Sequence, residues 1–522
     1  MKLLCKNFIW ALSGEAQEML VEAGRVVWRG TRFEGQPDAE TDLGGKSLLP
    51  AFVDAHCHIL PTGLDMKKLH LGVCRSEQDV LDAVRARHDG LPSGEWLLAV
   101  HYDQTRFASG GHLTRSDLDR VVSDRPVLLR HVNGHAGIAN SAALAAAGIG
   151  EAEPDPPGGE FRRDASGRLD GVLLEHAHER VSAAAPTPSY EQMVEAIEAA
   201  STRFAQFGIG CASDMMTGRF DLLDELRAYR AVSEGGPVRF RLYVQWGQLL
   251  GPRAIERESA LSEIRSMNPD RCRVAGVKIF ADGAIGSGTA AIYGRYSSDP
   301  RGEASPDGVE TSGQLIYSPD RLKAMVRTAH EEGYAIAVHS IGDRSTDLVM
   351  DVLEALGDAR RHRIEHAMIL SDAQIERMAS IGCRCTMQPE FLVAFAHTYR
   401  RQLGPERAAL LKRARSVMRA GIPLSFSSDA PIVAGDPWTG LRAISNRPEG
   451  FDPAEAVSLG DAIRAYTAGG ADANGEAGAM GGLTSGHLAD LQLYETNPLG
   501  GPAGLAGPAV RAESLAVAGS WA

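Results

Sequence analysis

The chain has 522 residues, 44% hydrophobic and 23% charged, with a formal net charge of −13. That length supports a large buried core, and the acidic balance argues against a nucleic-acid or anionic-membrane partner. No apolar run reaches the ~20 residues that a membrane-spanning helix needs.

The first residues, MKLLCKNFIWALSGEAQ, carry Lys6 and Asn7 inside their apolar stretch, and no small-residue cleavage site follows. They read as a first strand of a cytoplasmic protein and not as a signal peptide. NFIWAL, EMLVEAGRVVWRG and KSLLP precede residue 51, and ADLQLYE and AESLAVAG follow residue 484. Short strands with Gly-rich turns predict a small β-sandwich built from both termini, residues 1–50 and 484–522. The seven cysteines are scattered and form no CxxC, which argues against a disulfide framework or a thiolate zinc site.

Residues 52–60, FVDAHCHIL, place His56 and His58 two apart at the end of an apolar run. On a strand, residues two apart share a face, so both imidazoles can grip one ion. A second pair, His176 and His178 in LLEHAHERV, lies in a helix-like stretch, where residues two apart diverge. That pair is expected on the surface.

Residues 60–190 are too long for a simple crossover. They contain the strand-like LLAVHY and PVLLRHV and the Pro/Gly-rich EAEPDPPGGEFRRDASGRLDG, and they read as an insertion capping a barrel mouth. From about residue 190, helix-like segments end in Gly208, Gly333, Gly382 and Gly421, and a short apolar strand follows each. Glycine in that place closes a helix. Ser371 and Gln374 form a candidate capping box. Eight strands emerge, at 51–56, 208–214, 239–246, 274–280, 335–340, 362–367, 383–389 and 423–429. Strands alternating with helices predict a parallel sheet, and eight of them fit an α/β (β/α)8 barrel over residues 51–483. An open doubly wound sheet is the alternative, but no Gly-rich phosphate loop follows the first strand.

His56, His58, Lys278, His339, His366 and Asp429 stand at or near the C-terminal ends of strands 1, 4, 5, 6 and 8. In a barrel those ends converge on the face where active sites form. Neutral imidazoles with a carboxylate suit zinc or a similar first-row ion. Lys278 alone could instead pair with Asp282. Glu365, on the opposite face from His366, reads as a helix-packing ion pair, and Cys57, Cys383 and Cys385 as core. His131 and His135 in RHVNGH, and Asp103 in HYDQTRF, are candidate substrate contacts with a structural role as the alternative. Residues 297–313 are a lid or an ordinary loop.

Together, FVDAHCH, the strand-4 lysine, the two strand histidines and FSSDAP resemble the metal-dependent amidohydrolase superfamily over nearly the whole chain. RHVNGHAGIANSAAL, GGEFRRDASGRLDGVLLE, VKIFADGAIGSGTAA, AVHSIGD and RIEHA resemble its family-3 branch, which includes N-substituted formamide deformylases. The chain departs from that branch at Ala51, Gly288 and His487, where glycine, a basic residue and lysine are common. The resemblance implies two divalent metal ions, zinc foremost. His56, His58 and Asp429 would hold one ion and His339 and His366 the other, with carboxylated Lys278 between them. A metal-bound hydroxide would attack a small-molecule amide, and Asp429 would carry the proton to the leaving nitrogen. The alternatives are a one-metal deaminase, an ester or lactone hydrolase, and a non-catalytic scaffold. A homodimer is the default assembly.

Overall fold

The computed structural model describes residues 1–522 except 93, 133, 135, 157–158, 298–302, 305–309, 501–510 and 522. Eight parallel strands build the central sheet. They are β1 (Phe52–Cys57), β2 (Ile209–Thr217), β3 (Arg239–Gln245), β4 (Cys272–Phe280), β5 (Ala335–Ser340), β6 (Arg363–His366), β7 (Arg384–Met387) and β8 (Leu424–Phe426). Each pairs with its sequence neighbour. Between the first and last, Asp429 N donates to the His56 carbonyl at 2.7 Å and His58 N to the Ala430 carbonyl at 2.8 Å. The sheet therefore closes into a barrel, as the strand count predicts.

One repeat shows how the sequence encodes the alternation. Ser318 caps the helix Pro319–Glu331, and Pro319 fills a first-turn position whose N–H has no helical partner. Leu322, Met325, Val326 and Ala329 recur at helical spacing and are buried, whereas the polar residues between them face outward. Burying each of the larger side chains contributes about 1.5–3 kcal/mol. Gly333 then takes φ of 86°, which a side chain would resist, and β5 begins two residues later. Gly208, Gly382 and Gly421 repeat this positive φ at their helix ends. Ser371 and Gln374 form the expected capping box.

The terminal strands form one hydrogen-bonded path and not two separate sheets. It runs from Ser520–Trp521 through Ser514–Val517, Leu491–Tyr494, Ser47–Pro50, Lys2–Trp10 and Glu15–Glu22 to Arg25–Gly30. The path bends until its ends meet: Ala489 N donates to Gly24 O, and Gly519 N to Ala489 O. Phe8, Met19, Val26, Leu491 and Ala516 fill the space it encloses.

The chain divides into two compact units, Met1–Leu60 with Ile197–Ala522, and Pro61–Ala196. The second unit has its own six-stranded sheet, ordered Gly159–Arg163, Leu169–Glu175, Ala136–Ala139, Val127–His131, Leu97–Tyr102 and Leu69–His70. Val80, Val84, Leu97, Leu129 and Ile138 make its core. Among the described residues, no helix is long and apolar enough to cross a membrane.

Two local expectations are corrected. His178 is buried and bonded to Ser182 Oγ at 3.3 Å, and only His176 is exposed, because one face of the helix His176–Ser182 packs inward. The stretch PERAALLKRARSVMRAG is not one helix. It forms Pro405–Ala409 and Ala414–Arg419, broken at Lys412, whose φ is 54°.

Candidate metal centre

The register of the barrel sets the site. Lys278 lies opposite Gln245 of β3 and Ala337 of β5, His339 opposite Phe280 and Glu365, and His366 opposite Ser340. These side chains therefore sit at successive levels toward one rim. The β1–β8 closure bonds bring His56 and His58 to Asp429. Asp54 Oδ1 and Oδ2 accept from Ser428 N and Oγ at 3.0 and 2.6 Å, which fixes the same seam.

Asp429 Oδ1 lies 2.8 Å from His58 Nε2 and 3.5 Å from His56 Nε2. One ligand atom from each of these three buried residues lies within 4.8 Å of the other two. Oδ1 is buried and makes no hydrogen bond among the described residues. His56 Nδ1 donates to Glu365 Oε2 at 2.5 Å, so its Nε2 lone pair faces the carboxylate. Two acceptors that face each other in a buried site are satisfied by a cation between them. The residues thus fit a divalent ion.

His339 Nε2 donates to the Gly283 carbonyl at 3.0 Å, which leaves Nδ1 as the lone pair. His366 Nδ1 donates to Gln388 Oε1 at 2.8 Å, which leaves Nε2. The His366 ring centre lies 4.4 Å from that of His339 and 4.8 Å from that of His56. Burial, followed by the charge of Lys278, lowers the His339 pKa to about 4. Burial first, then neighbouring charges, drives His56 and His366 well below the ordinary value. All three are neutral at neutral pH, as metal ligation requires.

Lys278 is 1% exposed. Its Nζ lies 3.4 Å from His56 Nε2 and 5.0 Å from the Phe280 ring centre, and no carboxylate stands within 4 Å among the described residues. Burial lowers its pKa to about 8. Asp282 is not its partner: that carboxylate accepts from Ile341 N, Gly342 N, Ala291 N and Ser345 Oγ, and so ties the rim loops together.

Glu365 corrects the expectation of a helix-packing pair. It is fully buried, holds His56, and faces Arg363 Nε at 2.6 Å. Strict alternation fails there because His366 turns out of the strand with φ of 72°. Gln388 and Lys412 also went unread. Gln388 directly follows β7, a place that flags it, whereas nothing local marks Lys412. Cys57, Cys383 and Cys385 are buried, and burial raises their thiol pKa values.

His131 and Asp103 belong to the inserted unit. There His131 Nε2 pairs with Gln104 Oε1 at 2.8 Å, and Asp103 faces Arg106 Nε at 3.4 Å. His135, like most of 298–309, lies outside the described residues.

Residues 39–503 match the family model described as Amidohydrolase family. The chain is 31% identical over 475 residues to the putative amidohydrolase YtcJ of Bacillus subtilis, covering 89% of this chain and 87% of that protein. It is 28% identical over 514 residues to the N-substituted formamide deformylase of Arthrobacter pascens, covering 93% and 91%. A solved metal-dependent hydrolase from Pyrococcus horikoshii superposes with a TM-score of 0.78 at 25% identity, over 97% of this chain and 99% of that one.

Proposed function

The chain belongs to the amidohydrolase family and is a metal-dependent hydrolase, and from that premise we propose that it cleaves an amide-type C–N bond in an N-acyl amine, N-formyl amine or cyclic amide. The observation that carries this reading is the convergence of His56, His58 and Asp429 beside two neutral imidazoles and a buried Lys278 that has no carboxylate within 4 Å among the described residues.

His56, His58 and Asp429 would hold one divalent ion, and His339 and His366 a second, with Lys278 between them as a carbamate. Zinc is the foremost candidate. Such ions supply an acidified water and polarise the substrate carbonyl. Lys278 suits carboxylation because only a neutral amine adds to CO2, and burial favours that form. The addition makes an N–C bond and releases one proton, which turns a neutral buried amine into a carbamate anion. Glu365 and Gln388 fix the two imidazole tautomers before substrate arrives. Asp429 would take a proton from the attacking water and return it to the nitrogen, so that the amine departs neutral. The products are a carboxylic acid and an amine.

The test is metal content of wild type and Lys278→Ala purified side by side, followed by hydrolysis of N-formyl and N-acyl amines against esters and lactones. About two ions in wild type, falling to one or none in the variant, with turnover of the amides, is the expected result. One ion in both proteins, with release of ammonia from amino-substituted rings, would replace this reading by a one-metal deaminase.

A further inference from the structure

Lys412 is fully buried at the break between two short helices. Its backbone is held from several sides: Lys412 N donates to Met368 O at 3.1 Å, and Arg447 donates to the Lys412 and Leu411 carbonyls at 2.9 and 2.6 Å. Its φ of 54° is one a β-carbon resists, a strain that persists only where the surroundings impose it. No carboxylate within 4 Å neutralises its amine among the described residues; the Phe391 ring centre lies 5.4 Å away. Such a side chain is costly as a mere filler.

The amine does two things. Nζ donates to the His366 carbonyl at 3.0 Å and to Gln388 Oε1 at 2.9 Å. Gln388 is also fully buried, and its Nε2 donates to Ser427 Oγ at 3.0 Å. Ser427 Oγ in turn donates to the Met387 carbonyl at 3.2 Å. The remaining partner of Gln388 Oε1 is His366 Nδ1, at 2.8 Å.

An amide side chain can face a histidine with either end. The lysine amine, which donates to Oε1, settles the choice together with Ser427 Oγ, whose hydrogen goes to the Met387 carbonyl so that it accepts from Nε2. The oxygen of Gln388 must then face Lys412, so the same oxygen faces His366 Nδ1, and Nδ1 must carry the proton. We propose that Lys412 is a positioning residue which, through Gln388, fixes the Nδ1–H tautomer of His366 and so presents the Nε2 lone pair for metal binding. The relay is donor to acceptor to donor, and no group in it has to titrate. The proposal rests on the reading of His366 as a metal ligand and adds what orients it.

The test uses the full-length protein with zinc as the probe. Histidine is labelled with nitrogen-15, His366 is assigned by substitution, and zinc retention is read by chelator competition. Wild type should show a His366 Nδ1–H signal that exchanges slowly with water. Lys412→Met should lose that signal and bind zinc about 10–100-fold more weakly. Gln388→Glu in the Lys412→Met background should restore both, because a carboxylate can only accept. If Lys412→Met keeps the signal and the zinc, the proposal fails. It fails equally if the Glu substitution restores neither, since Lys412 would then be a structural support. Should Lys412→Met not fold, Gln388→Met gives the same reading with Lys412 intact, and an unchanged tautomer there overturns the proposal. A wild type that takes up no zinc would remove the metal reading, yet the tautomer signal would still decide the role of Lys412.

Discussion

Glu365 serves two partners at once. One oxygen accepts from His56 Nδ1, and the other faces Arg363, which also donates to the Ala55 carbonyl at 2.8 Å and lies 4.4 Å from the Tyr243 ring centre. The two services separate by mutation. Glu365→Gln removes the charge, frees His56 to change tautomer, and leaves Arg363 buried without a counter-ion, an arrangement that costs about 3–5 kcal/mol. The expected outcome is a lower melting temperature together with about 10–100-fold weaker zinc retention. Adding Arg363→Met should recover most of the melting temperature and none of the zinc. Recovery of both would mean that Glu365 supports the barrel and does not orient His56. Strand alternation read from sequence assigned Glu365 to the wrong face, since the left-handed backbone of His366 is not visible there. Of the eight non-glycine residues with positive φ among those described, His366, Ala367, Lys412 and Asp429 all lie at this site. The backbone is bent where these side chains converge.

Among the elements, the base of the barrel carries a different kind of histidine. His362, just before β6, accepts from Ile336 N of β5 at its Nδ1, 3.2 Å away, so its Nε2 donates to His330 Nδ1 on the helix Pro319–Glu331 at 2.9 Å. It joins two strands and a helix only while neutral, since a proton on Nδ1 would displace the backbone donor. Burial first, then Arg361, lowers its pKa to about 3. The unfolded chain takes up that proton near the ordinary value of about 6.5. The stability His362 contributes is therefore complete above about pH 6.5 and is lost as pH falls toward 3, by up to about 1.4 kcal/mol per pH unit. Denaturant melts of wild type and His362→Gln across that range check the sign. Glutamine can make both bonds without titrating, so its stability curve should be flatter on the acid side. An equal acid slope in the two proteins would exclude His362 as its source. The helices and strands themselves were legible because their signals are local: apolar spacing, the Ser318 and Ser371 caps, and the closing glycines Gly208, Gly333, Gly382 and Gly421. The stretch around Lys412 misled because its residues favour helix, while a tertiary demand on one buried amine breaks it.

Across the barrel-bearing unit as a whole, the terminal sheet is fastened to the barrel by charge inside the fold. Arg239 on β3 donates from Nε and Nη2 to both oxygens of Asp490 at 2.6 and 2.9 Å, and both residues are buried. Asp490 also accepts from Ala518 N, and its carbonyl accepts from Ala51 N just before β1. One carboxylate thus links the last strands, a barrel strand and the start of the barrel. Asp490→Ala should destabilise by about 3–5 kcal/mol in chemical denaturation, because it strands the guanidinium. Arg239→Met combined with Asp490→Leu should regain much of that loss. A fall well under 1 kcal/mol for the single change would mean that this pair does not hold the two layers together.

The sequence by itself determined the eight strands, the enclosing helices, the return of the C-terminal strands to the N-terminal ones, and the six ligand-type residues at strand ends. Each rests on spacing within a few residues, or on the rule that parallel strand ends meet at one rim. The tertiary structure alone decided which groups hold His56 and His366. Glu365 and Gln388 bond to them across strands, and Lys412 bonds to Gln388, through a register that no local pattern encodes and through left-handed backbone that only the closed barrel enforces. A candidate side chain is legible in its residue type, but the tautomers of His56 and His366 are set by neighbours distant in the chain.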